Sequence, residues 1–87
     1  MKKQTVFVLT ELYGNGSDTE VNVLGAYTTK TKAKEMLAEK KQKVLESYEQ
    51  AFFGEYEVSE DHPTLFEITH KNEYIWEQLS ITEKEVV

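Results

Sequence analysis

Only one stretch of this 87-residue chain, residues 30–52, carries helical periodicity, and strand-like sequence flanks it on both sides. At about 100° per residue, Ala33, Leu37, Val44, Tyr48 and Ala51 fall in one narrow stripe. Leu45 and Phe52 lie on one flank and Met36 on the other, while Glu35, Glu39, Gln42, Glu46 and Glu49 occupy the opposite face. Thr28 and Thr29 offer N-cap hydroxyls, and Gly54 suits the left-handed residue that ends a helix. One amphipathic helix can cover one face of one sheet, so the chain is restricted to a small α+β arrangement.

Residues 5–13 are β-branched and aromatic and apolar on both faces early on, which predicts a central strand. Gly14-Asn15-Gly16-Ser17-Asp18 has loop composition with a hairpin signal, and residues 20–27 return as a second strand. In that strand Val21, Val23 and Tyr27 share one face, with Asn22, Leu24 and Ala26 on the other. Acidic residues 55–63, ending in Asp61-His62-Pro63, read as a connecting loop with a short extended piece around Tyr56 and Val58. Residues 64–70 and 74 to about 82 form the third and fourth strands around a Lys71-Asn72-Glu73 turn, and the tail either extends the last strand or frays. The expectation is one domain, 1–87: an antiparallel four-stranded sheet with one long helix on one face, in the order β-β-α-β-β.

Val6-Phe7-Val8-Leu9-Thr10, a variable polar loop, then Leu24-Gly25-Ala26-Tyr27-Thr28-Thr29 and Ala33 before a lysine- and glutamate-rich helix form a recognisable series. Over residues 5–40 it resembles a group of small bacterial and phage ββαββ proteins of unknown function. The resemblance implies a fold and no activity. No catalytic residue is carried over from it.

Composition excludes more than it proposes. Cysteine is absent, which removes disulfides, thiolate metal sites and a cysteine nucleophile. Ten lysines without a single arginine, against sixteen carboxylates, leave a net charge of −6 and make direct nucleic-acid binding unexpected. That charge is unevenly spread: −1 over residues 1–29, +4 over 30–43 and −9 over 44–87. The apolar run after Lys2 and Lys3 is too short for a signal h-region, and no stretch reaches the roughly 20 apolar residues that span a bilayer. A cytoplasmic protein without membrane contact is the expectation, and there the Asn15-Gly16-Ser17 sequon is simply a turn.

Chemistry-bearing patterns are sparse. His62 and His70 lack ligand spacing, the carboxylates of 55–61 read as a solvated loop, and no phosphate-binding glycine motif or nucleophile elbow is present. The expectation is therefore no enzyme activity, no metal and no cofactor. Lys40 and Lys41 interrupt the apolar stripe of the helix. They either snorkel to water and pair with carboxylates or form an anion site for a charged partner.

The aromatic residues carry the strongest inference. Tyr48, Phe52, Phe53 and Tyr56 gather near the helix end, and Tyr74 and Trp76 open the last strand, which makes these six the candidate interface. Val6, Val8 and Leu12 oppose Phe7 and Leu9 on the first strand, and Ile75, Leu79 and Ile81 oppose Tyr74 and Trp76 on the last. Two apolar faces and one helix leave a patch that monomers seldom expose, unless the 55–63 loop and the tail cover it. A non-enzymatic, homodimerising interaction module is the leading expectation. The alternatives are an acidic nucleic-acid mimic that inhibits a DNA-binding partner, and a small-ligand domain with a pocket lined by Tyr48, Lys41 and Trp76.

Overall fold

A computed structural model describes residues 4–71 and 75–86. The chain runs β1 (Gln4–Asn15), β2 (Asp18–Tyr27), α1 (Lys30–Phe52), β3 (Tyr56–His62), β4 (Leu65–His70) and β5 (Ile75–Val86). All five strands form one antiparallel sheet in the order β2-β1-β5-β4-β3. The expected four-stranded sheet is thus corrected to five, because the acidic segment 56–62 is a strand paired with β4. An edge strand needs one ladder partner only, so Glu57, Glu60 and Asp61 can face water without loss, and composition then resembles a loop. A bulge between Val58 and Glu60 adds the irregularity that blunts an exposed edge.

The helix connects the two edges of the sheet, from the end of β2 to the start of β3. Its 23 residues rise about 1.5 Å each, roughly 34 Å in all, against about 19 Å between the edge strands. An oblique crossing follows. Thr29 caps the start, its Oγ1 accepting from the Lys32 amide at 3.2 Å, as the sequence indicates. The end is closed one residue earlier than glycine alone suggests: Phe53 is itself left-handed at φ 49° and donates its N–H to the Glu49 carbonyl at 3.0 Å.

Ala33, Leu37, Val44 and Tyr48 are buried as the periodicity requires, whereas Ala51 is exposed. Leu37, Val44 and Tyr48 meet Leu9 from β1, Phe66 and Ile68 from β4 and Leu79 from β5, so the hydrophobic core lies on one sheet face. The turn between β1 and β2 is the pair Gly16-Ser17, with Gly16 at φ 66°, and β1 continues through Gly14 and Asn15. A register shift at Leu9/Thr10 leaves Leu24 as an extra residue in β2. Strict alternation fails there. Tyr27 pairs with Phe7 and packs on the helix-side core, away from the face of Val21 and Val23.

No helix among the described residues is long and apolar enough to cross a membrane.

Candidate functional site

The six aromatic residues do not form one surface. Tyr48 is only 3% exposed, its ring meeting Phe52 at 5.2 Å and Tyr56 at 6.0 Å, both edge-on. Phe52 in turn meets His70 at 4.3 Å, and the Tyr56 hydroxyl donates to Glu49 Oε2 at 2.8 Å. Tyr48, Phe52 and Tyr56 therefore close the core beneath the end of α1. Trp76 lies on the other sheet face, over Gly14, and Tyr74 falls outside the described residues. Phe53 stands apart, 84% exposed and held in a left-handed conformation that a side chain adopts at some cost. Phe53→Gly is expected to raise stability by about 1 kcal/mol, read as a higher urea midpoint with an unchanged m-value.

Both interrupting lysines end on carboxylates of their own chain. Lys40 reaches Glu11 at 3.6 Å, and Lys41 reaches Asp61 at 3.0 Å while lying 5.8 Å from the Phe66 ring centre. His62 on β3 pairs with Glu60 at 2.8 Å, whereas His70 on β4 meets the Phe52 ring. Among the described residues no group of three or more His, Cys, Asp or Glu side chains is placed to hold a metal ion. Tyr48, Lys41 and Trp76 line no common pocket, since Trp76 is on the opposite side of the sheet from the helix.

Two surfaces stand out. The first is the sheet face without a helix. Across it Gly14 pairs with Trp76 and Thr19, Leu12 with Gln78 and Val21, Thr10 with Ser80 and Val23, and Val8 with Thr82 and Ala26. The β1–β2 half is apolar, with Val21 62% and Val23 68% exposed. The β3–β4 half is polar, where Glu57, Ser59, Glu67, Thr69 and Gln78 surround a depression of about 610 Å³ beside Trp76.

The second is a groove of about 300 Å³ on the helix side, floored by Glu11, Tyr13, Glu20, Asn22 and Glu77 and walled by Lys40, Lys43, Val44 and Ser47. Tyr13 pairs with Glu77 and Glu11 with Leu79, which makes the two glutamates diagonal neighbours on adjacent strands. Burial raises the Glu77 carboxyl to about 7, aided by the charge of Glu11 and a hydrogen bond with it and opposed by Lys40. Burial also raises the Tyr48 phenol, with the charge of Glu77 next in weight and Tyr13 and Glu11 contributing. Among the described residues the Tyr48 hydroxyl has no hydrogen-bond partner. Sequence alone does not bring these groups together as a set, although their phase is legible: Glu11 sits in phase with Leu9, and Glu77 in phase with Ile75 and Leu79.

No protein-family model matches this chain, and no curated protein or solved structure is significantly similar to it.

Proposed function

We propose that this chain is a non-enzymatic protein-interaction module that acts as a homodimer, two copies joined through their uncovered sheet faces. The observation that carries it is the bare β1–β2 face, where Leu12 pairs with the exposed Val21 and Thr10 with the exposed Val23, and Val8 and Val6 continue the same face along β1. With 56–62 drawn into β3, that segment edges the sheet and does not fold over this face. The accessible surface is 6043 Å², against roughly 5,300 Å² for a folded monomer of this mass. The radius of gyration is 14.3 Å where about 12 Å is usual for this length.

A two-fold axis through the valine half suits the charge pattern, because it leaves the acidic β3–β4 halves at the rim and apart from each other. The lack of cysteine fits a cytoplasmic setting. The nucleic-acid-mimic alternative draws less support: Glu49, Glu60 and Asp61 are engaged by Tyr56, His62 and Lys41 rather than presented as a free stripe.

Light scattering at tens of micromolar is expected to give twice the chain mass. A Val21→Glu, Val23→Glu double variant, whose substitutions lie on an exposed edge strand, is expected to weaken association at least tenfold while keeping its circular dichroism spectrum. A wild-type monomer at that concentration overturns the proposal.

A further inference from the structure

We infer that the depression over β3, β4 and β5 on the uncovered sheet face binds a neutral saccharide, a pyranose ring lying against the Trp76 indole while its hydroxyls bond the polar side chains around it. The site occupies the other half of that face from the valines and does not rest on the pairing proposed above.

The sheet register builds the site. Ladder pairs set Glu57, Thr69, Trp76 and Gly14 in one row across β3, β4, β5 and β1. Glu67 and Gln78 pair in the next row, and the bulge between Val58 and Glu60 brings Ser59 beside them, its hydroxyl donating to the Glu67 carbonyl at 3.4 Å. Because Gly14 has no side chain, the indole leans over β1, with Nε1, Cε2 and Cζ2 taking the place of a Cβ. On the other side of Trp76 the short side chain of Thr69 leaves a depression of about 610 Å³, which is within the range of small-molecule sites. Trp76 itself is half-buried, so part of the indole stays open to a ligand.

The mixture of groups selects the ligand. The Glu57 and Glu67 carboxylates accept hydrogen bonds, the Lys71 ammonium donates them, and Gln78, Ser59 and Thr69 do both. A cation brings donors alone and finds no use for Lys71 or the Gln78 amide nitrogen. An inorganic anion brings acceptors alone and meets two carboxylates against one ammonium. Sugar hydroxyls donate and accept, so they answer every group in the set. These groups are also spread out, about 4.8 Å apart between strands and about 7 Å apart along them, which matches a ring bearing several hydroxyls better than a point charge. The remaining demand is apolar: the C–H face of a pyranose leaves water against the indole, whose size makes such a contact worthwhile.

Trp76 is the only tryptophan of the chain and reports on the site directly. The full chain is titrated at pH 7 with cellobiose, maltose, lactose and N,N′-diacetylchitobiose, with n-butylammonium chloride and sodium phosphate as controls, and followed by indole emission and ¹H–¹⁵N correlation spectra. At least one disaccharide is expected to give saturable shifts at the Trp76 indole and at the Glu67, Thr69 and Gln78 amides, with a midpoint on the order of 1 mM. Glu67→Ala and Gln78→Ala are each expected to weaken binding at least fivefold with the folded spectrum retained. Glu57→Ala, on the exposed edge strand, gives the same reading if either of those variants unfolds. No saturable response to any of the four sugars, shifts centred elsewhere, undiminished binding by the variants, or tighter binding of butylammonium than of every sugar would each overturn the assignment.

Discussion

Gly14→Ala is expected to destabilise the protein by about 2–3 kcal/mol and to change its tryptophan emission. A Cβ on Gly14 would stand 2.1 Å from Trp76 Nε1, 2.2 Å from Cε2 and 2.6 Å from Cζ2, inside the indole ring itself. The ring cannot yield a few tenths of an ångström; it must leave. Gly14 and Trp76 are register partners on adjacent central strands, so the backbone beneath is fixed by the β1–β5 ladder. If displacement returns about 100 Å² of indole and strand surface to water, the loss is about 2.5 kcal/mol. For a domain of this size that lowers the melting temperature by about 10–20 °C. Gly16→Ala supplies the contrast: nothing lies within 4 Å of its Cβ, and only the φ of 66° opposes it, for about 1 kcal/mol. Urea denaturation at low protein concentration, followed by Trp76 fluorescence, checks both. A loss below 1 kcal/mol for Gly14→Ala with unchanged emission would show that the indole does not rest on β1.

The second large effect is a pH dependence carried by Glu77. Its carboxyl titrates at about 7 in the folded chain against 4.5 for an unperturbed glutamate. The folded state therefore holds this proton more tightly than the unfolded one. Stability from it is complete below about pH 4.5 and is lost as pH rises through about 7. The whole shift would correspond to about 3 kcal/mol, but Glu77 is half-buried and borders an open groove, so screening reduces the expected loss to about 1–2 kcal/mol. Thermal melts of wild type and Glu77→Gln between pH 4.5 and 8 isolate the effect, since glutamine keeps the shape and removes the titration. The two stabilities are expected to diverge with rising pH, the variant becoming the more stable. Parallel curves would place Glu77 in ordinary contact with water.

Local signals located the helix well. Thr29 and Gly54 bracket it, and a stripe of apolar residues at helical spacing defines its buried side, because capping and periodicity act within a few residues. What local signals could not show was non-local. Strand β3 carries Glu57, Glu60 and Asp61 because its outer edge has no neighbour, a fact about sheet order that no window of sequence contains. The extra residue at Leu24 reverses the side on which Tyr27 lies, and a bulge leaves no mark on composition. Gly14 reads as part of a turn, yet it is buried in β1 because an indole from sixty-odd residues away settles on it. The paired glutamates are the intermediate case. Their phase with Leu9 and Leu79 predicts the helix side of the sheet, but their adjacency depends on β1 lying next to β5.

That adjacency has a consequence for how the chain reaches its native state. The central ladder joins Gln4 to Val86 and Asn15 to Ile75, so the middle of the sheet is assembled from opposite ends of the described chain. The hairpins β1–β2, β3–β4 and β4–β5 can close locally, but β1 gains its second neighbour only when β5 docks on it. During synthesis the helix is complete while the strand that will finish its floor is still unmade. High contact order of this kind slows folding toward the millisecond-to-second range and leaves the apolar edge of β1 exposed in the interval. A short peptide linking Val86 to Gln4, with new ends opened at Gly16-Ser17, would turn that last pairing into a local hairpin and accelerate folding without altering a single contact of the core.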